Sequence, residues 1–338
     1  MKEGITFDDV LLQPQYSDIK SRKTIDIGNK LSSNYFRLPI ISSPMDTVSG
    51  PTMCSAMDEF GGLGIIHRYN TIEQQVALLR KAKHNNQQIR IGAAIGITGD
   101  FLERAVALYH NGVNVICLDV AHGHHITMKK ALEKICSLYK GKVHIMAGNV
   151  ATLNAFNDLA DWGADSIRVG IGGGSICSTR IQTGHGVPTL QSIIDCSTSD
   201  RDVKLIADGG IKTSGDIVKA IAAGADFVML GSLLAGTRES PGEMIVSSNG
   251  KSVKVYRGMA SEEAQKDWRG KANSLEGISA TVPYKGSVEK VLSKLSKGIK
   301  SGFSYSGARN ITEFQSKSIF LKQSVSSRVE SSTHILVR

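Results

Sequence analysis

Eight short apolar runs rich in β-branched residues, separated by stretches of helical periodicity, constrain this chain more than any other feature. They cover residues 38–43, 62–67, 89–95, 113–120, 143–148, 166–170, 204–208 and 227–231. The runs are continuous rather than alternating, as strands buried on both faces of a parallel sheet must be. Helix-length segments lie between them at Thr71–Ala82, Phe101–Asn111, Ile126–Tyr139, Leu153–Trp162, Leu190–Cys196 and Ser214–Ala223. Gly112, Gly163 and Gly224 follow where a helix stop favours glycine. Eight such units in about 200 residues predict an α/β fold, a (β/α)8 barrel forming a single domain over 1–338, with a doubly wound sheet as the alternative.

In such a barrel, reactive groups sit at the C-terminal ends of the strands, and phosphate is commonly held by the loops after the seventh and eighth. AspGlyGly (208–210) follows the seventh run and GlySer (231–232) the eighth. After the sixth comes GlyGlyGlySerIleCysSerThrArg (172–180), which sets Cys177 in a glycine-rich turn beside hydroxyls and an arginine. Glycines there allow positive φ and let backbone N–H groups approach an anion, and a thiol facing basic groups can ionise and attack carbon. The segment has the layout of a nucleophile beside a bound phosphate. Asp119, closing the fourth run, is also better placed for function than for packing.

The five cysteines (54, 117, 136, 177 and 196) show no metal or disulfide spacing, which fits a reducing cytosol, and those other than Cys177 sit in apolar patterns typical of buried thiols. No signal-peptide core or membrane-length apolar run is present, so a cytoplasmic protein is expected. The net charge of +9 raises the possibility of nucleic-acid binding, but from Lys285 onward Lys and Arg number ten against three Asp and Glu, so seven of the nine excess charges lie in the C-terminal segment. They are spread singly, without aromatic interleaving, as on a solvated basic face. His122, His124 and His125 fit no common zinc spacing and read as loop histidines near a cofactor. Residues 259–280 are polar and poor in apolar periodicity, the composition of a mobile flap, and the Ser-rich tail 324–338 reads as irregular.

Several motifs in order carry a resemblance: ThrPheAspAspValLeuLeuGlnPro (6–14), SerSerProMetAspThrVal (42–48), AlaGlyAsnVal (147–150), ArgValGlyIleGlyGlyGlySerIleCysSerThrArg (168–180), AlaAspGlyGlyIle (207–211), LeuGlySer (230–232), TyrArgGlyMet (256–259) and GluGly (276–277). Over nearly its whole length the chain resembles the IMP dehydrogenase and GMP reductase family. The resemblance implies a homotetramer in which Cys177 attacks C2 of a purine 5′-nucleotide, with hydride moving between that carbon and a nicotinamide. It implies nucleotide binding by Ser43, Met45, Asn149, Arg168, Gly174, Ser175, Asp208, Gly209, Gly210, Gly231, Ser232, Tyr256, Gly258, Met259 and Ala260, with Asp208 on the ribose hydroxyls. The cofactor side would comprise Arg68, Asp119, Val120, Ala121, Gly170 and Gly172, and a potassium ion would sit on loop carbonyls at Gly172, Gly174, Cys177 and Arg180.

Two members of the family differ in chemistry. Its dehydrogenases activate water with an Arg-Tyr pair in a long flap and commonly carry a paired regulatory insert. Here no Arg-Tyr pair occurs between Met259 and Glu276, and His67 runs through one helix to Ile89 with no room for the insert. A reductase needs only groups that protonate the leaving amine, and Thr179 and Glu276 match those positions. The resemblance therefore implies an NADPH-dependent GMP reductase. The alternative is an NAD-dependent IMP dehydrogenase lacking the insert, with Trp268–Arg269 replacing the water-activating pair. AlaAlaIleGly (93–96) and ValProTyrLysGly (282–286) look closer to that alternative. A flavin-dependent or isomerase barrel, or a non-catalytic nucleotide or RNA binder, would differ by carrying flavin or by lacking turnover.

Overall fold

The computed structural model describes residues 3–84, 86–247, 250–272 and 276–331. Eight parallel strands close into a barrel in chain order: Ile40–Ser42, Leu63–Ile66, Ile91–Ile95, Val115–Asp119, His144–Val150, Ser166–Val169, Lys204–Asp208 and Phe227–Leu230. Each lies within one of the apolar runs or overlaps it, and the doubly wound alternative is set aside by the closure of the last strand onto the first, with Val228 paired to Ile40. Inward residues such as Ile41, Ile65, Val115, Met146, Ile206 and Phe227 fill the barrel. A hairpin, Asn29–Leu31 with Asn34–Phe36, caps its lower end by adding Leu31 and Phe36 to that interior cluster.

The helices expected from periodicity appear at Ile72–Lys83, Phe101–His110, Ile126–Tyr139, Leu153–Asp161, Thr189–Cys196 and Ser214–Ala222. Gly112, Gly163 and Gly224 all adopt positive φ just beyond helix ends. A helix not foreseen between the first two runs spans Pro51–Phe60, with proline at its first turn and Gly61 at φ 96° closing it. The final long helix, Val288–Tyr305, completes the outer layer, where Phe303 is fully buried and stacks on Phe314 at 4.1 Å. Phe303→Ala is expected to cost about 3–5 kcal/mol, measurable as a lowered midpoint in urea unfolding.

Between the eighth strand and that helix, the chain builds a second, antiparallel sheet from Met244–Val246, Ser252–Arg257 and Ser279–Pro283. The stretch 259–280, read as aperiodic, in fact contains a helix, Glu262–Arg269, and the start of the third strand of this sheet; 273–275 fall outside the described residues. The helix forms because Ser261 accepts a bond from the Ala264 N–H, acids open it and Lys266 and Arg269 close it, while Ala264 and Gln265 are buried. The tail likewise is not wholly irregular: Ser324 caps a short helix, Val325–Glu330, and residues 332–338 lie outside the description.

At the lower end, His144 is 2% exposed and its ring nitrogens lie 2.8 Å from Ser32 Oγ and 2.8 Å from Ser166 Oγ. Burial pushes its pKa down to about 4. The unfolded chain binds this proton more readily than the folded one, so the stability it confers is full above about pH 6.5 and is lost as pH falls toward 4, on the order of 3 kcal/mol in all. Urea midpoints measured across that window should show the slope, and His144→Gln should remove it.

Candidate active site

The loops leaving the upper ends of the strands surround a cavity of about 420 Å³. Its wall contains Ser43 and Met45 after the first strand, Arg68 after the second, Asp119, Val120 and Ala121 after the fourth, and Asn149 near the end of the fifth. Arg168, Gly170, Gly172, Gly174, Ser175, Cys177 and Thr179 come from the sixth strand and its loop, followed by Asp208, Gly209 and Gly210 after the seventh. Gly231 and Ser232 follow the eighth, and Tyr256, Gly258, Met259, Ala260 and Glu276 come from the second sheet and flap. Every anticipated site residue except Arg180 therefore lines one cavity. Two glycines are dictated by close approach: a Cβ at Gly170 would collide with the Asp208 carbonyl, and one at Gly231 would lie 2.8 Å from Tyr256 Oη.

Cys177 heads a chain of hydrogen bonds. Its thiol donates to Thr179 Oγ1 at 3.1 Å, and the Thr179 hydroxyl donates to Glu276 Oε2 at 2.9 Å. The backbone holds these partners in register, because Ser178 N donates to Glu276 O at 3.0 Å and Cys177 bridges Gly277. The thiol loop is thus bound directly to the end of the flap. A carboxylate two hydrogen bonds from a nucleophile can accept its proton and later return it to a leaving group.

The opposite wall carries a set of alternating charges. Arg168, its side chain 7% exposed, donates through Nη1 to Asp119 Oδ1, through Nη2 to Asp208 Oδ2 at 2.9 Å and through Nε to the same oxygen at 3.2 Å. Asn149 Nδ2 also donates to Asp208 Oδ2, at 2.9 Å, so three donors converge on one oxygen of that carboxylate. Burial alone would favour a neutral Arg168, but Asp119 and Asp208 outweigh it and hold the guanidinium protonated, its pKa well above the usual value. Arg68 is half-buried, its side chain 17% exposed, and donates from Nε to the Asp119 carbonyl at 3.1 Å. Tyr256 is buried, and desolvation pushes its phenol up to about 12 despite a hydrogen bond with Ser175.

Arg180 lies apart from the cavity: its side chain packs along Gly172 and donates to the Val187 carbonyl at 2.8 Å, while its own carbonyl accepts from Gly184 N. The histidine trio forms no metal cluster, as none occurs among the described residues. His124 pairs with Asp158 at 2.7 Å, and His125 caps the helix that follows it. Trp268 lies on Tyr69, with ring centroids 4.4 Å apart, and Arg269 sits over the indole at 4.0 Å. That pair does not line the Cys177 cavity; Trp268 borders a neighbouring one of about 630 Å³. Cys54, Cys117 and Cys196 are buried, and burial pushes the Cys117 and Cys196 thiols up to about 12. Tyr69 also lines the site, unforeseen because no residue-type chemistry marks it, and so do Ile176 and Gly277, which lie in the quoted motifs without an assigned role.

Comparison with known proteins agrees with this geometry. Residues 4–334 match the model of the IMP dehydrogenase / GMP reductase domain. An inosine-5′-monophosphate dehydrogenase from Cryptosporidium parvum is 39% identical, covering 98% of this chain and 95% of its own. A GMP reductase from Leishmania major is 32% identical, covering 99% and 97%. The crystal structure of a cysteine-to-alanine variant of GMP reductase from Trypanosoma brucei, in complex with guanosine 5′-monophosphate, superposes with a TM-score of 0.94 at 29% identity, over 100% of this chain and 99% of that one. With the barrel, the Cys177 loop and these relatives in agreement, the chain belongs to the IMP dehydrogenase / GMP reductase family of oxidoreductases.

Proposed function

We propose that this protein is a GMP reductase, converting GMP to IMP and ammonia at the expense of NADPH. The observation that carries the reading is the Cys177–Thr179–Glu276 chain, together with a flap in which Trp268 lies on Tyr69 and Arg269 over the Trp268 indole, neither lining the thiol's cavity. In this reading, Asp208 accepts from the ribose diol, the Gly209–Gly210 and Gly231–Ser232 loops offer backbone donors to the phosphate, and Tyr256 completes that pocket.

As the Cys177 sulfur bonds to C2 of the purine, its proton passes through Thr179 to Glu276. Protonation of the exocyclic amine lets the C2–N bond break, and ammonia leaves a thioimidate on the enzyme. Arg68, Asp119, Val120, Ala121, Gly170 and Gly172 would hold NADPH, which would supply one hydride to C2. The C–S bond then breaks, the sulfur departs with its electron pair, and IMP is released.

A monovalent cation, potassium by preference, would suit the oxygen-only donors of the Cys loop. The carbonyls of Gly172, Gly174, Cys177 and Arg180 would hold it; those of Gly174 and Arg180 already accept one N–H each and retain a second lone pair. The ion would stiffen a loop that must shift between attack and release. A cytoplasmic homotetramer is part of the same proposal. Among the described residues no helix is long and apolar enough to cross a membrane.

The 39% identity to a dehydrogenase favours a second reading, oxidation of IMP with NAD+ to XMP. Initial rates with GMP plus NADPH against IMP plus NAD+ separate the two. Turnover of the first pair alone supports the reductase, and turnover of the second alone overturns it.

A further inference from the structure

Arg168 stands between two carboxylates that serve different ligands in the reading above, on which this inference rests. Asp208, at the end of the seventh strand, faces the nucleotide side, and Asp119, at the end of the fourth, faces the dinucleotide side. One buried guanidinium joins them, with Nη1 on Asp119 and Nη2 and Nε on Asp208. Arg68 extends the chain beyond Asp119, and Asn149 extends it beyond Asp208. Two positive and two negative groups therefore alternate across the mouth of the barrel. We infer that Arg168 is a positioning residue that couples the two ligand sites, so that occupation of one tightens binding at the other.

The physical basis lies in how little freedom the bridge leaves. The guanidinium is planar, and its donors point in fixed directions. Because all three donors to Asp208 converge on Oδ2, the other oxygen is the acceptor for a ligand hydroxyl, and a hydroxyl there fixes the rotation of the carboxylate. Fixing Asp208 fixes the fork of Arg168, and the fork in turn fixes Asp119. The second ligand then meets a carboxylate already ordered, and the ordering is done once for two binding events. A lysine at this position keeps the charge but offers a single ammonium, which cannot present the two-armed fork to carboxylates on separate strands.

The test is calorimetric titration of the full-length protein, every form carrying Cys177→Ala so that GMP binds without forming the covalent adduct, with GMP in the absence and presence of saturating NADP+. With Arg168 and Asp119 intact, NADP+ should tighten GMP at least about fivefold. In Arg168→Lys the tightening should fall below about twofold, even where each ligand alone binds more weakly. Asp119→Asn, which cuts the bridge at its other end and leaves Arg168 on Asp208, should lose the coupling equally. The double variant should lose no more, since both changes break one linkage. Circular dichroism and the unfolding midpoint establish that each variant is folded; should Arg168→Lys fail to fold, Asp119→Asn alone decides the matter.

A merely structural arginine would weaken both ligands without altering the ratio. The inference is overturned if the protein with Arg168 and Asp119 intact shows no coupling, or if a folded variant keeps it. Should the protein prove to oxidise IMP instead, titration of IMP with and without NADH reads the same coupling. The reductase reading can thus fail while the coupling stands, and the reverse.

Discussion

Cys177→Ala is expected to lower kcat for GMP reduction by at least about 10⁴-fold while GMP affinity changes by no more than about threefold. The reasoning is geometric. The thiol is the group that can add to carbon, and it is aimed into the cavity from a loop that Glu276 and Gly277 clamp through backbone contacts. In the proposed reading the nucleotide is held elsewhere, on Asp208 and the glycine loops, so removing sulfur should leave ground-state binding largely intact. NADPH absorbance together with equilibrium binding of GMP gives both numbers. A variant that retained a tenth of the activity would mean that reduction proceeds without a covalent bond to this residue.

Glu276→Gln should reduce kcat by about 10²–10³-fold with little change in KM. The glutamine can still accept the Thr179 hydrogen bond, so the local structure has reason to persist, but it cannot take up the thiol proton or return it to the departing amine. Thr179→Val interrupts the same path one step earlier. If the two residues act as one relay, the double variant should be scarcely slower than the worse of the singles. Additive losses would show that they serve separate steps.

The barrel was legible because parallel strands covered on both faces must be continuously apolar, and all eight runs met that demand. The site was legible for a related reason: strand ends bring Asp119, Arg168 and Asp208 to one mouth whatever the loop details. What escaped notice lies where sequence chemistry is mute. The helix Glu262–Arg269 buries only Ala264 and Gln265, too little apolar surface to leave a periodic trace, and it is held by its Ser261 cap and end charges. Pro51–Phe60 was hidden in a short gap between strands. The partnership of Arg168 with two carboxylates, rather than with ligand alone, needed coordinates, since nothing in three separated residues announces a shared guanidinium. Trp268 shows the same limit from the other side: its neighbour on the folded surface is Tyr69, and no spacing tells of that.

The most direct test of the central claim is mass spectrometry of the Cys177 peptide after acid quench of the enzyme mixed with GMP, beside a parallel quench with IMP and NAD+. The account predicts, in the GMP sample, a peptide heavier by GMP less ammonia, discharged when NADPH is added before the quench. An unmodified Cys177 peptide after mixing with GMP alone, from enzyme that turns GMP over once NADPH is supplied, or an adduct that forms only from IMP and NAD+, would contradict it.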